Sequence, residues 1–293
     1  MKRLLEWLHR GPLITDGAWG TELQRRGLAP GENPDPWNLS HPGKVEEVAR
    51  AYVEAGSRVI LTNTFRSNAI SLAGYDEAAI AAINRAGVEI SRRAAAGAQV
   101  KVVASMGPSG KMLMMGEVTP EQISSAFAQQ AAACAAAGAD ALLLETFADL
   151  EEASLALAAA RATGLPVIVS FVFDSGKNKD RTMMGATPEQ AARRMQEEGA
   201  AAVGANCGLG PERFPPLSVR LRDACELPIW IKPNAGLPEI SGGEARYAMA
   251  PEAFAAHLPA LLDAGACFIG GCCGTNPAFI RALTEEMRRC AAS

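Results

Sequence analysis

Short apolar runs alternate with longer alanine-rich segments along the whole chain. The runs read LITDGA (13–18), RVILTNT (58–64), KVVASMG (101–107), ALLLET (141–146), VIVSFVF (167–173), AVGANCG (202–208), IWIKPNA (229–235) and CFIGGCCG (267–274). Each is nearly continuous in apolar character, the pattern of a parallel strand covered on both faces. The intervening segments, such as Pro120 to Ala137, Leu150 to Thr163, Pro188 to Glu198 and Pro251 to Ala264, have helical periodicity. Thr119-Pro120, Thr187-Pro188 and Asn276-Pro277 place a capping side chain before a proline at the first helical position. Gly56, Gly138, Gly199 and Gly265 follow helix ends, where a left-handed residue is needed.

Eight such units in 293 residues predict an α/β fold, one (β/α)₈ TIM barrel domain over 1–293, with its site at the C-terminal ends of the strands. A doubly wound sheet is the rival, but no G-x-G-x-x-G follows the first run. The long loops follow strands one, three, five and seven: 27–43, GPSGKMLMMGEV, DSGKNKDRTMMG and GLPEISGGEARYAM. Barrel enzymes build their sites from loops in that position.

Composition narrows the function. A net charge of -4, with basic residues dispersed, offers no footprint for nucleic acid or an anionic membrane. The apolar runs are far shorter than a bilayer span. The segment MKRLLEWLHRG reads as a leading helix, because Glu6 and His9 interrupt it and no small-residue cleavage site follows. Seven cysteines, an odd number with one adjacent pair, argue against a secreted disulfide framework and predict a reducing cytoplasm.

Three of those cysteines stand at strand ends: Cys207 after the sixth run, and Cys272 with Cys273 after the eighth. Strands six to eight are neighbours in a barrel, so the thiols can converge on one metal ion and leave one coordination position open. With only three histidines in the chain, the implied ion is Zn²⁺ held by sulfur. Cys134, Cys225, Cys267 and Cys290 read as small buried hydrophobes. Successive strand residues face opposite sides, so the Cys272-Cys273 pair requires a local departure from strand geometry, and the flanking glycines permit it. A thiol entering the open position would lose its proton, which points to activation of a substrate thiol as nucleophile. Asn234, at the end of the seventh run, either fills the open position through its amide oxygen or makes an ordinary hydrogen bond. Asp16 and Glu145 end strands one and four with no cation beside them in sequence, and are read as contacts for the ammonium of an amino acid. The backbone N–H groups of Gly17 and Ala18 would take its carboxylate.

At DGAWGTELQ (16–24), TNTFRSN (62–68), LLLET (142–146), GANCGLGPE (204–212), KPNAGLPE (232–239) and GGCCGT (270–275), the chain resembles the zinc-dependent homocysteine S-methyltransferase family. That family includes the homocysteine-binding module of cobalamin-dependent methionine synthase and, more distantly, betaine–homocysteine methyltransferase. The resemblance implies a barrel, Cys207, Cys272 and Cys273 as zinc ligands, Asp16 and Glu145 as homocysteine contacts, and methionine as product. GANCGLGPE and KPNAGLP look more like the methionine synthase module, implying methylcobalamin or another methylated corrinoid on a separate protein as donor. Trp37 resembles the tryptophan lining the betaine pocket, which keeps a small onium donor (betaine or S-methylmethionine) as the alternative. Arg66, where the betaine branch has tyrosine, opposes a cationic donor. Trp19 replaces a common methionine, and Met112, Met114 and Met115 form either a docking surface or core filling. The remaining rivals are another thiol or selenol acceptor, a non-catalytic zinc-binding subunit of a corrinoid assembly, and a phosphate-binding barrel lyase.

Overall fold

A computed structural model describes residues 2–241 and 244–292. The barrel strands are β1 (Leu13–Ile14), β2 (Val59–Leu61), β3 (Lys101–Met106), β4 (Ala141–Phe147), β5 (Val167–Phe171), β6 (Ala202–Asn206), β7 (Ile229–Lys232) and β10 (Ala266–Ile269). β8 (Glu239–Ser241) and β9 (Glu244–Arg246) form a separate antiparallel ladder within the loop after β7. The eight parallel strands run in the order β1-β10-β7-β6-β5-β4-β3-β2. The seam between β1 and β2 is bridged by the Arg58 N–H, which donates to the Ile14 carbonyl at 2.8 Å. This is the expected (β/α)₈ barrel.

Among the helices that follow the strands are α1 (Pro42–Glu54), α2 (Glu77–Ala94), α3 (Pro120–Ala136), α4 (Leu150–Arg161), α5 (Pro188–Glu197), α6 (Phe214–Ala224), α7 (Pro251–Ala255), α8 (Leu258–Asp263) and α9 (Pro277–Ala292). Capping boxes start α3 and α5: Thr119 and Thr187 accept from the N–H groups of Gln122 and Gln190, whose side chains return to the cap backbone. The helix predicted over Pro251–Ala264 is broken at Ala256-His257, because Pro259 removes an N–H and crowds the preceding turn. Among the described residues no helix is long and apolar enough to cross a membrane.

Inside the barrel pack Val59, Leu61, Val103, Leu143, Ile168, Trp230 and Phe268, joined by Leu4 from the leading helix. A larger apolar cluster fills the space between strands and helices. The close fit of β6 to β7 depends on Gly204, where an added Cβ would lie 1.9 Å from the Trp230 carbonyl oxygen. Most predicted strands overran at their C-terminal ends, and the overrun is informative: beyond Ile14, Leu61, Asn206, Lys232 and Ile269 the backbone leaves the sheet to build the site.

Candidate active site

A cavity of about 410 Å³ opens at the C-terminal ends of the strands. Gly17, Ala18, Trp19, Phe65, Glu145 and Thr146 contribute to its wall, together with Lys232 and all three predicted metal ligands. The sulfurs of Cys207, Cys272 and Cys273 lie within 4.8 Å of one another, with Cys207 and Cys273 3.9 Å apart. Residues 66 positions apart in sequence are thus brought to one point. Backbone hydrogen bonds fix them: the Cys207 N–H donates to Lys232, Cys272 to Pro233, and the Ala235 N–H to Cys273.

The departure from strand geometry is partly where it was predicted and partly not. Cys207 itself takes a left-handed backbone at φ 64°. At the second cysteine segment Gly274 is left-handed at φ 82°, and the Tyr247 ring lies where its Cβ would be, 2.2 Å away. Gly271 is required by closeness: a Cβ there would meet the Thr275 side chain at 2.4 Å.

The three sulfurs share protons unequally. Hydrogen bonding from Cys272, then from Cys273, holds the Cys207 thiol well below its ordinary range. Cys272 and Cys273 are pushed up, first by that same bonding to Cys207 and also by burial. Tyr247 is also raised, by burial and then by the nearby sulfurs, so its phenol stays protonated and can bond Cys273. Asn234 is buried beside Cys207, and among the described residues its Oδ1 has no hydrogen-bond partner.

Asp16 departs from expectation. It is fully buried, and its carboxylate is paired with Lys232 Nζ at 2.5 Å. Its other oxygen accepts from the Leu61 N–H at 2.7 Å and the Trp19 indole at 2.8 Å. Occupied this way, Asp16 sits one layer behind the cavity and supports Lys232 and Trp19. Burial alone would lower Lys232, but attraction to Asp16 and Glu145 outweighs it and raises the ammonium above its usual value. Glu145 lines the cavity and accepts from the Ser105 hydroxyl. Burial raises its carboxyl, only partly opposed by Lys232.

Two other expectations shift. The Ala18 N–H already donates to Thr275 Oγ1 at 3.2 Å, so it is not available to a substrate carboxylate; Gly17 remains on the wall. Trp37 does not line the cavity: its indole donates to Glu32 at 3.0 Å, and its ring packs on His41 and beneath Lys44. The aromatic faces on the wall belong to Trp19 and Phe65. Met112, Met114 and Met115 are exposed, at 40%, 71% and 69%, which removes core filling as their role.

Sequence reasoning missed Lys232, Tyr247, Asn206 and Thr146. Lys232 had a readable signal, since a lone charge at the end of the apolar run IWIK must find a partner once buried. Tyr247 had none, because only the β8–β9 ladder brings it over Gly274.

Residues 13–287 match the family described as homocysteine S-methyltransferase. The chain belongs to that family. It is 31% identical to the methionine synthase of Mycobacterium leprae over 98% of its own length, and 32% identical to that of Mycobacterium tuberculosis over 97%. It spans about a quarter, 25%, of each of those two proteins. Among solved structures it is similar to the Escherichia coli homocysteine methyltransferase MmuM in its metallated form, with 26% identity, a TM-score of 0.80, and coverage of 96% and 98% of the two chains. A phosphonomutase-like protein from Burkholderia cenocepacia, at 18% identity and a TM-score of 0.51, shares the fold alone.

Proposed function

We propose that this chain is a zinc-dependent S-methyltransferase that methylates the thiol of L-homocysteine to give methionine. The observation that carries this reading is the convergence of three sulfurs within 4.8 Å on the wall of a cavity sized for an amino acid. An all-sulfur donor set suits Zn²⁺, and the unpartnered Asn234 Oδ1 fits an oxygen able to complete the set before substrate arrives. When bound, zinc would keep the acceptor sulfur deprotonated at neutral pH, where a free thiol is only a few per cent ionised.

The chain's own residues bind and orient the substrate. Glu145 takes the ammonium, held in place by Ser105. Lys232, anchored by Asp16, offsets part of the cost that burial imposes on the Glu145 carboxylate. Gly17 and Trp19 close one side. The reaction forms one S–CH₃ bond, breaks the bond from methyl to its donor, and releases the thiol proton, with no covalent enzyme intermediate.

For the donor, the first reading is a methylated corrinoid carried by a separate protein or domain. The exposed Met112, Met114, Met115, Met183 and Met184 on the loops after β3 and β5 support it, as adaptable apolar contacts for a bulky partner. The second reading is a small onium donor, favoured by the aromatic faces of Trp19 and Phe65 in the cavity. Zinc-loaded protein incubated with homocysteine and, in turn, methylcobalamin, betaine and S-methylmethionine decides between them by methionine formed. Turnover with methylcobalamin alone supports the first reading. No methionine with any donor, despite stoichiometric zinc, would favour a non-catalytic metal-binding subunit. These roles fit a reducing, cytoplasmic setting, where three free thiols persist.

A further inference from the structure

β4 breaks its alternation at one place. Glu145 and Thr146 are consecutive, yet both line the cavity, whereas a regular strand would turn them to opposite faces. The register of β4 on β5 shifts between Leu144 and Phe147, and Thr146 takes a left-handed backbone at φ 69°. For a β-branched residue that conformation is strained and persists only where its surroundings enforce it. Asn206 does the enforcing. Its Oδ1 accepts from the Thr146 N–H at 3.0 Å and from Ser170 Oγ at 2.7 Å, while its Nδ2 donates to Thr146 Oγ1 at 2.8 Å.

That last bond fixes the direction of the hydroxyl. Thr146 Oγ1 accepts from Asn206, so its own proton must be given to something else. Among the described residues none takes it, and the side chain is half-buried on the cavity wall. Adjacent residues therefore present an acceptor, Glu145, and a hydroxyl donor, Thr146. In an α-amino acid the ammonium and the carboxylate hang from one carbon, so this pair matches both groups at once. The Ala18 N–H is already spent on Thr275.

We infer that Thr146 is a specificity-determining residue whose hydroxyl binds the α-carboxylate of the substrate, and that Asn206 is the positioning residue that holds it in its strained backbone. This rests on the reading of the cavity as an amino-acid thiol site.

The test uses Co²⁺-substituted protein, in which thiolate-to-metal absorption reports thiol binding. Two thiols are titrated: homocysteine, and 3-aminopropane-1-thiol, which lacks only the carboxylate. Thr146→Gly suits the left-handed backbone and removes the hydroxyl; Thr146→Ser keeps it. Loss of a hydrogen bond to a charged group should weaken homocysteine binding by roughly 10- to 100-fold in Thr146→Gly, leaving the amine thiol within about twofold. Thr146→Ser should restore homocysteine binding to within about threefold of wild type. Adding Asn206→Ala to Thr146→Gly should cause no further carboxylate-dependent loss, because Asn206 acts through the hydroxyl. Equal penalties for both thiols, no penalty for either, or an added carboxylate-dependent loss from Asn206→Ala would overturn the inference. Wild-type protein that binds neither thiol at the metal would sink the cavity reading, and this inference with it.

Discussion

Lys232→Met isolates the charge pair beneath the cavity. Lys232 and Asp16 are 2% and 0% exposed and 2.5 Å apart. At an effective dielectric of about 20, that separation corresponds to about 7 kcal/mol of gross attraction, most of it offset by the cost of removing both charges from water. The substitution removes only one of them. Asp16 keeps two donors, the Leu61 N–H and the Trp19 indole, but loses its cation without any access to water. Uncompensated burial of that kind costs about 3–5 kcal/mol, which urea unfolding at neutral pH would register as a lower midpoint with an unchanged slope. Asp16→Asn combined with Lys232→Met should recover at least about half of the loss, since both charges are then gone. The pH dependence has a defined sign. The folded value of Lys232 is raised above its ordinary 10.5, so its contribution is full below about 10.5 and fades as pH climbs through the folded value. A Lys232→Met variant within about 1 kcal/mol of wild type would refute the idea that this pair is a desolvated anchor.

Three further outcomes follow from particular contacts. Cys273→Ala should reduce zinc from about one ion per chain to a small fraction of that under mild chelation, measured by elemental analysis on folded protein, because two sulfurs are too few for the site. Asp35 is wholly buried and raised by desolvation from 3.8 to about 7, with the Arg66 N–H and the Ser67 hydroxyl both bonding one of its oxygens. Its folded value lies above the unfolded one, so wild type should lose stability relative to Asp35→Asn as pH rises from about 4 to about 7, by an amount on the order of 4 kcal/mol; parallel stability curves would contradict this. Gly204→Ala places a methyl 1.9 Å from the Trp230 carbonyl and should cost more than about 3 kcal/mol or abolish folding, whereas a wild-type melting temperature would show that β6 and β7 can separate freely.

The order of the barrel strands was legible in the sequence, and so was the trio of cysteines at their ends that the structure brings within 4.8 Å of one another. Its period of alternating apolar runs and capped helices is a local property, set by side chains a few residues apart, and it recurs often enough to specify eight strands. Cys207, Cys272 and Cys273 were readable because glycines and strand ends mark them and because barrel order makes strands six to eight neighbours. What the sequence could not determine was who stands opposite whom. Asp16 lacks a cation within its own segment, yet Lys232, 216 positions away, occupies it; Trp37 has the right residue type, yet its ring turns toward His41. The left-handed turns at Thr146 and Cys207 were equally hidden, since nothing in their own side chains favours φ above zero. Such conformations are imposed by long-range partners, here Asn206 and the β6–β7 backbone bonds, and long-range partners exist only once the chain has closed on itself.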